Sequence, residues 1–78
     1  MKKITLQLNN FFANKELVSE LHKKNITYKV GSMECQDTIW IENVCEIRHF
    51  GKTIDIIVDN YDKIITIKND DIKYMEVI

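Results

Sequence analysis

The sequence predicts an α+β domain in which one helix packs on a mostly antiparallel sheet, in the order strand, helix, strand and then a four-stranded meander. Residues 1–33 hold the only segment with helical spacing of apolar side chains. Residues 38–78 alternate apolar and polar side chains almost without interruption, and turn-forming residues mark the breaks. With 78 residues, 45% of them apolar and 29% charged, the chain has room for a single domain spanning 1–78 around one core.

Ile4, Leu6 and Leu8 alternate with Thr5 and Gln7, which makes residues 2–8 a strand with one apolar face, ended by Asn9-Asn10. Asn14 is the expected N-cap of a helix through Lys24. Glu16 and Glu20 lie toward its positive end, Lys23 and Lys24 sit at its negative end, and Asn25 can take a left-handed closing position. Leu17, Val18 and Leu21 form one narrow apolar stripe, so this short helix must pack on something to persist. Ile26, Tyr28 and Val30 alternate as a second strand, closed by Gly31-Ser32, and residues 33–37 read as a loop.

Beyond Thr38 the turn chemistry fixes a register. Gly51-Lys52 has the glycine-first form of a two-residue type II′ hairpin, which sets Phe50 opposite Thr53, His49 opposite Ile54, Arg48 opposite Asp55, Ile47 opposite Ile56 and Cys45 opposite Val58. A four-residue loop at Asp59-Asn60-Tyr61-Asp62 then sets Ile56 opposite Ile65 and Ile54 opposite Ile67. A three-residue loop would instead bury Thr66 and Lys68. Asn69-Asp70 can close a third hairpin, with Ile67 opposite Ile72, Ile65 opposite Tyr74 and Lys63 opposite Glu76.

These registers leave a second apolar row on the face that should be wet. Ile57 falls opposite Ile64, and Ile64 opposite Met75. Trp40 joins that side if residues 38–50 form one uninterrupted strand in which it shares parity with Val44, Glu46 and Arg48. The closing segment, Asn69-Asp70-Asp71-Ile72 leading into Lys73-Tyr74-Met75-Glu76-Val77, resembles in outline the last turn and strand of small SH3-like or Sm-like barrels. That resemblance implies a partly open barrel as the alternative architecture.

The parts of most catalytic sites are missing. His22, Cys35, Cys45 and His49 have no zinc-ligand spacing, so no metal site is expected, and without a signal segment the two cysteines read as reduced thiols. Glu46-Ile47-Arg48 and Asp71-Ile72-Lys73 have the outline of nuclease elements, but they read more simply as cross-strand ion pairs. Neither serine has a nucleophile setting, and two glycines cannot build a phosphate loop. No enzyme activity and no cofactor are expected. Met1-Lys2-Lys3 followed by alternation is not a signal peptide, and no apolar run is long enough for a bilayer, so a cytoplasmic protein without membrane contact is expected. Ile, Lys and Asn supply 30 of the 78 residues and there is no proline, the usage of AT-rich codons such as those of a low-GC bacterium, a phage or a mobile element.

Charge divides the chain. Residues 1–33 carry six lysines against two glutamates, whereas residues 34–78 carry five cations against ten carboxylates. The first expectation is a non-enzymatic protein-binding module, an inhibitor or accessory factor that occupies a partner surface through Trp40, Ile57, Ile64, Met75, Glu46 and Asp55. An acidic rim of this kind suits a basic nucleic-acid-binding protein as partner, and a homo-oligomer is the other occupant of the apolar row. The alternative is an RNA- or DNA-binding module that uses Lys2, Lys3, Lys15, Lys23, Lys24 and Lys29 on phosphates.

Overall fold

A computed structural model describes residues 2–78, with Met1 outside the described part. The elements run β1 (Lys2–Leu8), α1 (Phe11–Lys23), β2 (Tyr28–Met33), β3 (Gln36–Phe50), β4 (Thr53–Val58), β5 (Lys63–Lys68), a 3₁₀ turn (Asn69–Asp71) and β6 (Ile72–Val77). All pairings are antiparallel, in the order β5-β4-β3-β1-β6, with β2 also paired to β3. The sheet does not close into a barrel, since β5 and β6 end the path as edges. One helix on a mostly antiparallel sheet is therefore the architecture.

The core gathers Ile4 and Leu6 of β1, Leu17 and Leu21 of α1, Ile39, Ile41 and Val44 of β3, and the inward isoleucines of β4 and β5. Strand alternation supplies one face of each strand, and the helical stripe packs on that face beside β1 and β5.

Both hairpins of the β3-β4-β5 meander have the expected register from Phe50↔Thr53 to Ile47↔Ile56 and from Val58↔Lys63 to Thr53↔Lys68. At the first turn only Gly51 has a positive φ, as a type II′ loop requires. The second loop holds Asp59, Asn60 and Tyr61 all in left-handed geometry.

The structure corrects the sequence reading in four places. The helix starts at Phe11, because the Asn10 side chain caps it by accepting from the Ala13 N–H at 2.8 Å, four residues before the expected Asn14. Residues 33–37 are not a loop. Gly31 and Ser32 stay in β2, and Glu34 and Cys35, both at positive φ, make a two-residue turn into β3.

The third correction is a bulge. Asn43 takes φ 59°, its carbonyl accepts from Asp59 at 3.0 Å, and Val44 rather than Cys45 faces Val58. Val44 is buried and Cys45 half-buried, so Trp40 and Val44 do not share a face.

Finally, β6 does not pair with β5. The 3₁₀ turn replaces the tight Asn69-Asp70 hairpin and is pinned at both ends: Asn69 N–H donates to Lys52 at 2.8 Å, and Asp71 accepts from Asn9 N–H at 2.8 Å. The chain is thereby delivered to the open edge of β1, where Met75 faces Leu6 and Val77 faces Ile4. Both edges of the buried strand β1 are then hydrogen-bonded, which a buried backbone requires. Ile64 consequently has no Met75 opposite it.

Candidate functional site

Three strands carry what remains of the second apolar row. Glu46 lies opposite Ile57, and Ile57 opposite Ile64, so these three side chains cross β3, β4 and β5 in line. Asp55 sits one step along the same face, between Arg48 and Thr66, and accepts from the Thr66 hydroxyl at 2.7 Å. Arg48 pairs along its own strand with Glu46, whose hydrogen bond and charge raise the guanidinium pKa. The pair is solvent-exposed and adds little to stability.

Trp40 and Met75 do not join this group. Trp40, paired with Lys29 and Thr5, lies on the outer side of the other half of β3 and rests on Gly31. A Cβ on Gly31 would fall 3.0 Å from the indole ring, which explains the glycine. Met75 packs beside the core on β6. The structure therefore brings together Glu46, Asp55, Ile57 and Ile64 and separates the other two.

A second feature escaped the sequence reading. Because Asn10 caps the helix, Phe11 and Phe12 fall on its first turn, where they are 66% and 79% exposed. Their rings meet edge to face at 6.0 Å, and the Lys15 ammonium lies 5.9 Å from the Phe11 ring centre. Phe12 borders a cleft between α1 and β5 whose walls include Lys15, Glu16, Ser19, Glu20 and Thr66. Adjoining it, Leu8, Leu17, Ile65 and Ile67 help to line a half-open pocket of about 150 Å³. Lys24 closes one end by donating to the Ile64 carbonyl at 2.7 Å while lying 3.6 Å from Glu20. The signal for the two phenylalanines was Asn9-Asn10, which can end a strand and cap a helix at once.

The six lysines of the first third belong to separate places. Lys15, Lys23 and Lys24 line the α1-β5 cleft together with Glu16 and Glu20. Lys2 and Lys3 are on β1, where Lys2 lies beside Cys45, Glu46 and Val77, and Lys29 faces Trp40 on the outer side of the sheet.

Among the described residues no group of three or more His, Cys, Asp or Glu is placed to hold a metal ion, and no helix is long and apolar enough to cross a membrane. Cys35 is exposed at the β2-β3 turn, and both thiols are free. The Tyr74 hydroxyl donates to Glu76 at 3.0 Å, and that bond, reinforced by desolvation and the charges of Glu76 and Glu34, raises its pKa above the usual phenol value. Comparison with protein-family models, curated proteins and solved structures finds no match to this chain.

Proposed function

We propose that this protein is a small non-enzymatic module that acts by occupying the surface of a protein partner, as an inhibitor or accessory factor of a phage or mobile element would. The observation that carries the reading is the exposed Phe11-Phe12 pair on the first turn of α1, with Phe12 on the rim of the α1-β5 cleft and Phe11 edge-on beside it. Large aromatic side chains left in water at the edge of a concave surface supply anchors of the kind that dominate protein-protein binding energy. Ile64, on the outer face of β5 with its carbonyl capped by Lys24 of the cleft wall, extends the apolar surface, and Glu46 and Asp55 around the single cation Arg48 leave its far side net negative, which suits a basic partner.

Nucleic acid binding is less well supported, because the cleft lysines alternate with Glu16 and Glu20 and the remaining lysines lie on other elements. A phosphate track needs cations that act together.

Capture from a lysate of the protein's own host tests the reading, with wild type and Phe12→Asp compared with and without nuclease. A protein retained after nuclease treatment and lost with Phe12→Asp is the expected result. Capture that vanishes with nuclease, or that Phe12→Asp leaves unchanged, would overturn it.

A further inference from the structure

We propose that copies of this chain pair head to tail, β6 of one adding antiparallel to β2 of the next. β2 and β6 each bond a single neighbour, β3 and β1 respectively, so each keeps an open edge. β5 is also an edge, but the Lys24 ammonium caps the Ile64 carbonyl there. Nothing comparable blocks the other two among the described residues.

The hydrogen-bond phase of both edges follows from the bonds inside the chain. Lys3 and Ile78 exchange backbone hydrogen bonds at 3.1 and 2.8 Å, so Glu76 and Tyr74 also turn their N–H and C=O toward β1, and Met75 and Val77 turn theirs outward. Glu42 N–H donates to Thr27 at 3.1 Å, so Lys29 and Gly31 bond to β3, and Tyr28, Val30 and Ser32 point their backbone groups off the edge.

The two outward sets match in one register. Val30 faces the partner's Met75 and Tyr28 faces the partner's Val77, both as hydrogen-bonded pairs. Lys29 then faces the partner's Glu76, and Gly31 faces the partner's Tyr74, as the closer, non-hydrogen-bonded pairs. Side-chain direction agrees as well. Val30 and Tyr28 share the core-side face of the sheet with Ile39 and Ile41, and Met75 and Val77 share it with Leu6 and Ile4. Pairing therefore prolongs one sheet with its core face continuous.

The side chains at these edges support this occupant over others. Val30 is 59% and Val77 41% exposed, so both edges leave apolar surface in water. A slip of two residues would set Val30 opposite Lys73 or Gly31 opposite Glu76 and lose the Lys29-Glu76 pair. Symmetric pairing of β2 with β2, or of β6 with β6, offers no opposite charges directly across in the registers that this hydrogen-bond phase allows. A head-to-tail contact closes into a ring or continues as a filament.

Light scattering after size exclusion tests this on the full chain. Wild type should run above the 9.3 kDa monomer with rising concentration. Lys29→Glu alone and Glu76→Lys alone should each raise the concentration needed for association by about tenfold, since like charges then face each other. An equimolar mixture of the two variants should restore association, because every junction between unlike copies again joins opposite charges. Val30→Pro should stay folded by circular dichroism, its lost N–H being an outward one, and should remain monomeric. Wild type that stays monomeric at its highest soluble concentration would overturn the proposal. So would a mixture that associates no better than either variant, or folded Val30→Pro that associates like wild type. The charge variants leave Phe12 and the cleft intact, so loss of self-association without loss of host-protein capture would leave the proposed function standing.

Discussion

Tyr74 shows how a single side chain reports its surroundings. Its hydroxyl donates to Glu76 two residues along the strand, a bond that only the neutral phenol can make. Deprotonation would set a phenolate against a carboxylate, so the folded pKa is raised above 10.0. The unfolded chain therefore gives up this proton first as pH rises, and the contribution of the bond to stability is present below the ordinary phenol pKa and lost as pH climbs through the folded value. Absorbance titration should show tyrosine ionisation complete at a lower pH in Glu76→Gln than in the wild type, because the change removes the charge that holds the Tyr74 proton. Superimposable titrations of the wild type and Glu76→Gln would contradict the assignment. Asn43, Asp59, Asn60 and Tyr61 all hold left-handed geometry. Asn43 can adopt that geometry because its short polar side chain tolerates it, and one such residue moves Val44 into the core in place of Cys45.

At the scale of elements, the helix start depends on one side chain. Asn10 and Asn14 are both plausible caps, and the acidic residue that favours Asn14 in the sequence, Glu16, is not in the first turn of the observed helix. Asn10→Ala should therefore cost about 1 kcal/mol in urea denaturation. Asn14→Ala should cost nothing or stabilise slightly, since it removes a buried side-chain oxygen that has no hydrogen-bond partner and improves helix propensity. The opposite order of effects would return the cap to Asn14. What could be read in advance follows the same logic. Loop length and alternation determine the β3-β4 and β4-β5 registers, because a one-residue slip would turn Ile54, Ile56, Ile65 and Ile67 outward together. Alternation names the buried face of β6 but not its neighbour, and Met75 packs as well beside Leu6 as it would have beside Ile64. The Glu34-Cys35 turn escaped notice because neither residue advertises positive φ. Of the candidate site, the Glu46-Ile57-Ile64 line was legible from register alone, whereas Phe11 and Phe12 emerged only once the cap was known.

For the molecule as a whole, the open sheet decides which apolar residues belong to folding and which remain available to a partner. Sequence parity treats Ile57 and Ile64 as equal members of one row, yet Ile57 is 3% exposed and Ile64 44%. Ile57 lies in β4 with strands on both sides, opposite a Glu46 carboxylate already engaged by Arg48. Ile64 lies on edge strand β5 with water on one flank. A lysine in place of Ile57 would bring an ammonium into a buried position whose nearest carboxylate is occupied. The cost should reach several kcal/mol, a large share of the stability of so small a domain. The same change at Ile64 lets the long side chain run along the strand to water and should alter folding stability by no more than about 0.5 kcal/mol. Urea denaturation of the two variants should therefore separate widely, with Ile57→Lys largely unfolded and Ile64→Lys close to wild type. Ile64→Lys should nonetheless weaken capture of the host protein partner, because its charge stands on the surface beside the cleft. A folded Ile64→Lys that captures as well as wild type would confine the partner surface to the helix side of the cleft and remove the second apolar row from it.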